Sequence, residues 1–167
     1  MKNFLRPPVP FFPMMIDIYD KEILIVGGGR VAARRAETLL KCGAKITAVS
    51  SKFDSKFPDV YKKFEREFEI SDIDEKFLFI IAATDSREIN NLIKETSRAK
   101  KIPVNVCDSQ RECDFYFPSL INVENIAVSV NTAGADSKLT RRLSDRLRKI
   151  WASWVKEEIN FCYNSRD

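Results

Sequence analysis

Three consecutive glycines, Gly27, Gly28 and Gly29, stand in a chain of 167 residues that holds only five. With Ala32 they read Gly27-x-Gly29-x-x-Ala32. In this spacing the first glycine permits a tight turn after a strand. The second lets the backbone come close to a diphosphate, and a small third residue lets the following helix pack on the strand. The free N–H groups and the dipole at that helix start favour phosphate charge. Dinucleotide binding is therefore the chemistry this turn suggests.

Asp108 is the second candidate. It follows the apolar stretch of "IPVNVCD" (102–108), on the side of the sheet where ligands bind in such folds. A carboxylate there can take a proton as a hydride leaves. A turn or cap aspartate is the alternative, and the residues alone leave both open. The third candidate is a basic run. Lys138, Arg141, Arg142, Arg146, Arg148 and Lys149 face one acid, Asp145, although the net charge of the chain is only +4. Such a cluster is either a solvated helix face or a seat for an anionic partner, whether small molecule or nucleic acid.

These groups need elements to place them. "EILIV" (22–26) reads as a buried parallel strand, and Val31, Ala32, Ala36, Leu39 and Leu40 recur at helical spacing up to a closing Gly43. "AKITAVS" (44–50) is a second strand and "KKFEREFEI" (62–70) an edge strand. "KFLFIIAAT" (76–84), the most apolar run, is expected to be central. A helix over 86–101 should turn Ile89, Leu92, Ile93 and Ala99 inward, with Asp85 as its cap, before a strand at 102–108. Strands alternating with helices imply an α/β, Rossmann-like, doubly wound parallel sheet.

The pattern changes after about Ser109. Two strands around a turn near 122–125 precede one long helix or two, on which Leu139, Leu143, Leu147, Ile150 and Trp154 form a stripe. The division is residues 1–114 for the nucleotide domain and 115–167 for a strand pair and helical region. Phe115, Tyr116, Phe117 and Pro118 read as core or interface.

The second strand should end in an acid for the adenosine ribose, but Ser50, Ser51 and Lys52 stand there. Spacing alone leaves NAD and NADP open. Thr84, at the end of the 76–84 strand, joins the candidate cofactor contacts. Asn90 and Asn105 are plausible polar partners near the chemistry.

Composition narrows the classes. No apolar run reaches the ~20 residues of a membrane span, and prolines interrupt the apolar start, unlike a secretory leader. A cytoplasmic location with reduced, mostly buried cysteines is expected. Without histidine or a C-x-x-C pair, the four cysteines do not suggest zinc, and no metal site is expected.

"LIVGGGRVAARRAETLLKCGAKITAVS", "AATDSREIN", "IPVNVCDSQRECDFYFPSLI" and "AGADSKLTRRLSDRLR", in that order, resemble the dehydrogenase part of siroheme synthase, the precorrin-2 dehydrogenase family. The resemblance runs from about Phe11 to Ile150. It implies oxidation of precorrin-2 to sirohydrochlorin with NAD, by a homodimer that exchanges its C-terminal segments, with iron insertion in some members. By resemblance, Asp108 in V-N-V-x-D is the key acid. Arg30, Val31, Ser51 and Lys52 join Gly27, Gly28 and Gly29 at the nucleotide, and the missing ribose acid favours NAD.

The substrate carries eight carboxylates, which Lys138, Arg141, Arg142 and Arg146, with Asn105, are expected to meet; arginine offers a bidentate fit. Arg34 and Arg35 could add to that field. Three departures stand out. "NTAGADSK" has Asn131, Ala133 and Ser137 where the family favours serine, glycine and proline. The chain is short after its basic helix. The lack of histidine weakens a chelatase role. A non-catalytic nucleotide sensor would use the same turn without needing Asp108 or the basic helix. A nucleic-acid binder would use the basic helix, but the apolar stripe beside it fits an interface as well; no nucleic-acid or membrane partner is expected.

Overall fold

A strand that is apolar on both faces must be covered on both, and β1 (Glu22–Val26) is such a strand. Ile23, Leu24 and Ile25 are each 0% exposed. In the computed structural model, which describes residues 12–124, 126–132 and 136–164, β1 lies in the middle of a five-stranded sheet. The order is β3-β2-β1-β4-β5, with β2 Lys45–Ser50, β3 Lys62–Glu65, β4 Ile80–Ala82 and β5 Val104–Val106. Every pairing is parallel. This is the expected Rossmann-like arrangement, with one correction. The 76–84 run supplies an interior strand but not the middle one. In a doubly wound sheet the chain starts at the centre and winds outward to both sides, so the first strand holds that place.

Helix α1 (Arg30–Leu40) buries Ala32, Ala33, Ala36 and Leu39, the small residues letting it approach the strands closely. A turn after it closes on Gly43, whose φ of +78° suits glycine and whose N–H donates to the Leu40 carbonyl at 2.9 Å. On one face of the sheet Leu24, Val26, Ile80, Ala82, Val104 and Val106 cluster with Ile93 of α2 (Arg87–Ala99).

Some local expectations need correction in detail, although the second and fifth strands and the helix over 86–101 stand where expected. The edge strand ends at Glu65. Arg66 then turns to Asp72 in a two-pronged pair of 2.8 and 2.5 Å, and Glu69 and Asp72 cap a 3₁₀ turn over Ile70–Asp72, so the alternating pattern never extends as strand. In α2 only Ile93 of the four expected residues faces inward. Ile89 and Leu92 are 37% and 42% exposed, Ala99 is exposed, and Asn90, Lys94 and Ser97 are buried instead. Each of these polar groups has a partner: the Thr84 backbone, Glu112 and the Ile93 carbonyl respectively. The cap of α2 is Ser86, whose Oγ accepts the Ile89 N–H at 3.3 Å, and not the exposed Asp85. Cys42 and Cys162 are exposed and Cys107 and Cys113 half-buried, against the expectation of mostly buried thiols.

The chain divides into two compact units, one spanning Met14–Phe115 and holding the sheet, the other containing the chain from Tyr116 onward. In the second, β6 (Ser119–Val123) pairs antiparallel with β7 (Ile126–Val130). A single helix, α3 (Ser137–Asn164), follows, its start held by Asp136 Oδ1, which accepts the N–H groups of Lys138 and Leu139. Among its described side chains Ser144 and Val155 are buried, whereas Leu139, Leu143, Ile150 and Trp154 are 44–57% exposed. Ala133, one of the departures noted in the sequence, lies outside the described residues.

Candidate functional site

The three glycines have different reasons to be glycine. Gly27 has φ +121°, and a Cβ there would stand 2.2 Å from the Ala83 carbonyl oxygen, so β1 and the end of β4 could not close. A Cβ on Gly28 would stand 2.2 Å from the Lys52 carbonyl oxygen, where the loop after β2 crosses the turn. That loop is fastened by the Asp54 N–H donating to the Gly28 carbonyl at 2.8 Å. Gly29 differs from both. Among the described residues a Cβ there would meet nothing within 4 Å, and its φ of −78° is open to any residue. Gly29 is also the N-cap of α1, with no side-chain cap and no acid in the first turn. The protein's own packing therefore requires two of the glycines, and the third keeps a bare backbone facing open space at a helix start.

Such a helix start is short of hydrogen-bond acceptors and carries positive potential. A diphosphate fits it in charge and in close approach, so the residues present suit a dinucleotide. Arg30 and Val31 begin the helix there and are both exposed. At the end of β2, Ser50 Oγ donates to the Lys52 carbonyl at 2.8 Å and receives the Lys52 N–H at 3.4 Å. Ser50 thus shapes the loop, and Ser51 and Lys52 are left exposed at its tip.

Beyond β4, Thr84 is tied into the start of α2. Its N–H and hydroxyl reach Asn90 Oδ1 at 3.1 and 2.8 Å, and Asn90 Nδ2 donates back to the Thr84 carbonyl at 3.0 Å. The fully buried Asn90 therefore fixes the loop beside Gly27. Asn105 has a comparable duty. At 3% exposure its amide donates to the Phe115 carbonyl at 2.8 Å and to the Cys113 sulfur at 3.4 Å, so the structure gives it an internal, positioning role.

Asp108, just past β5, is exposed and lies against α2: Arg87 Nη1 donates to its Oδ1 at 3.3 Å. Arg87 also pairs with Glu112, which accepts from Lys94 Nζ at 2.8 Å. Lys94, the Ser109 hydroxyl and Arg87 pull the Glu112 carboxyl down to about 2. The adjacent Cys107 thiol is pushed up by burial, with Arg35 opposing, and burial also raises Cys113. Neither thiol then competes with Asp108 as an anionic base. Arg87, Lys94 and Glu112 were not singled out in the sequence. Arg87 lies 21 residues from Asp108 and 25 from Glu112, and no local pattern marks such pairs among 28 basic and 24 acidic residues.

Lys138, Arg141, Arg142 and Arg146 are all exposed on α3, in the other unit. Arg141 keeps 84% of its side chain in solvent despite a 3.8 Å approach to Asp145, whereas Arg148 is engaged with Asp145 and Ser119. A groove of about 520 Å³ lies at the other end of the sheet, lined by Lys21, Glu22, Lys76 and Lys101 among others. It sits at the amino ends of the parallel strands, away from the glycine turn and Asp108. No helix among the described residues is long and apolar enough to cross a membrane.

The family model described as "Putative NAD(P)-binding" matches residues 14–119. The chain is 35% identical over 148 residues to the siroheme synthase of Nitrosospira multiformis, covering 84% of this chain and 31% of that protein. It is also 35% identical to the "Probable multifunctional siroheme biosynthesis protein HemA" of Ruminiclostridium josui, over 83% of this chain and 28% of that one. It thus spans about a third of the length of these curated relatives. Among solved structures, "SirC, precorrin-2 dehydrogenase" superposes with a TM-score of 0.65 at 21% identity, over 87% of this chain and 76% of that one. That likeness shows the shared fold.

Proposed function

This chain belongs to the NAD(P)-binding family that it matches, and we propose that it is an NAD-dependent dehydrogenase that oxidises precorrin-2 to sirohydrochlorin, as a cytoplasmic homodimer. Support for the activity comes from relatives named for siroheme synthesis and a fold neighbour titled precorrin-2 dehydrogenase. The structural observation that carries the reading is Gly29, a bare, uncapped helix start in open space, on the same end of the sheet as Asp108.

When bound, the dinucleotide supplies a nicotinamide ring that accepts hydride. The turn Gly27–Gly29, with Arg30 and Val31, would hold its diphosphate through backbone N–H groups. Ser51, Lys52 and Thr84 would line the nucleotide on either side of that turn. Ser51 offers a hydroxyl to the ribose where an acid is usual, and we assign NAD over NADP on the family's pattern at this strand end. Dehydrogenation removes two hydrogens from the macrocycle, one as hydride and one as a proton, and Asp108 takes the proton. Lys138, Arg141, Arg142 and Arg146 bind the substrate's carboxylates, arginine with paired N–H groups. Their exposure suits this role: all four side chains are open to solvent, and Arg141 stays 84% exposed beside Asp145. The exposed apolar residues of α3 supply a surface for a second copy.

The test is an anaerobic assay of the protein with precorrin-2 and either NAD or NADP. The reading requires reduced dinucleotide to form in step with the sirohydrochlorin spectrum, faster with NAD. Tight dinucleotide binding without turnover would favour a sensor instead.

A further inference from the structure

The carboxylate assigned as the base does not stand alone. Arg87, the first residue of α2, sends one guanidinium nitrogen to Asp108 Oδ1 at 3.3 Å and the other to Glu112. Glu112 in turn accepts from Lys94 Nζ at 2.8 Å, and the Lys94 side chain is only 8% exposed. The segment carrying Glu112 is strapped to α2 a second time. Arg98 Nη2 donates to the Glu112 carbonyl at 2.8 Å and to Asp114 Oδ1 at 2.9 Å. Asp114 Oδ2 accepts the Val104 N–H of β5 at 3.0 Å. A line of alternating charges therefore runs from inside α2, through Glu112 and Arg87, to Asp108.

We propose that Arg87, anchored by Glu112 and Lys94, is the positioning residue that fixes the Asp108 carboxylate for proton transfer. The proposal rests on the assignment of Asp108 as the base. A base in this place must be an anion, must point one oxygen at the substrate, and must not swing. An aspartate whose side chain is 35% exposed has freedom to turn in solvent unless a neighbour restrains it. Arg87 donates to Oδ1, which leaves Oδ2 to meet the substrate proton.

The planar fork of arginine matters, because its two nitrogens address two carboxylates at once in a fixed geometry that an ammonium cannot reproduce. The anchor also holds across the working range of pH, since Glu112 stays ionised down to about 2. The Cys107 and Cys113 thiols lie close enough to feel the charges of Asp108 and Arg35, and burial, the largest cause, raises both, so neither adds a second anion beside Asp108.

The test uses the full chain with precorrin-2 and NAD, comparing wild type, Arg87→Gln, Arg87→Lys, Glu112→Gln, Asp108→Asn and the Asp108→Asn/Arg87→Gln double variant. Arg87→Gln should lower kcat about tenfold to a hundredfold, as a misplaced group does, with the KM for NAD and the melting temperature little changed. Arg87→Lys should recover part of that loss and Glu112→Gln should show a smaller one. In the Asp108→Asn background, Arg87→Gln should cost nothing more, because the group it positions is gone. Full activity in Asp108→Asn removes the base assignment itself. An inactive Asp108→Asn beside a fully active Arg87→Gln leaves that assignment standing and overturns the positioning role alone. Parallel losses of kcat, NAD affinity and melting temperature in Arg87→Gln, unrescued by lysine and additive with Asp108→Asn, would make Arg87 a structural staple and also overturn it.

Discussion

The two units of this chain solve the burial problem in opposite ways. The sheet unit closes its own core: β1, β2, β4 and β5 are largely apolar and almost wholly covered by their neighbours. The C-terminal unit is a two-stranded ribbon and one long helix, and α3 leaves Leu139, Leu143, Ile150, Trp154 and Phe161 from 44% to 69% exposed. An isolated ribbon is marginal in water, and a 28-residue helix gains most of its stability from what it packs against. The contrast teaches that nucleotide binding resides in a self-sufficient scaffold, while the basic helix needs a further surface to complete it. A second copy of the chain meets that need in the reading given above.

The sharpest attack on this division is at the chemistry. Asp108→Asn should lower kcat by ~10²–10⁴, the range for loss of a general base, while calorimetric affinity for NAD stays within about twofold. Joint loss of both would mean that the sheet unit does not separate binding from catalysis. Next in size is Gly28→Ala, which drives a Cβ to 2.2 Å from the Lys52 carbonyl. It should destabilise the protein by ~2–4 kcal/mol in urea unfolding, as overpacking and backbone shifts do.

In the C-terminal unit, Leu143→Glu places charge on the exposed stripe. Sedimentation should show dimer giving way to monomer, with NAD affinity unchanged; an unaltered dimer would place the interface elsewhere.

The smallest effect is the pH dependence of Glu112. A carboxyl held at about 2 against an ordinary 4.5 contributes stability that is present above pH 4.5 and is lost as pH falls toward 2. Melting temperature should therefore fall less steeply through that window in Glu112→Gln than in wild type.

Much of the sheet unit was legible because its signals are local. Strand, triple glycine, helix and Gly43 follow one another within about twenty residues, and each has one steric meaning. What was not legible depends on distant partners. Ile89 and Leu92 have the hydrophobic spacing of an inward face, yet Asn90, Lys94 and Ser97 are inside. The reason lies in Thr84, Glu112 and the Ile93 carbonyl, and two of these sit on other elements. The cap is Ser86 rather than Asp85 because one residue of register decides which oxygen reaches the Ile89 N–H. Asn105 looked like a substrate contact by its place beside Asp108, and only its bonds to Phe115 and Cys113 show that its amide is occupied. The Arg87–Glu112–Lys94 line had no sequence signature for the same reason.

The account turns on Gly29 being glycine for a ligand's sake. Calorimetric titration of NAD into wild type and Gly29→Ala, with melting temperatures measured on the same samples, tests this directly. The account predicts unfolding stability within about 1 kcal/mol of wild type, since only the helix cap changes, and NAD affinity at least about tenfold weaker. Equal affinity in the two proteins, or no NAD binding by wild type, would contradict it.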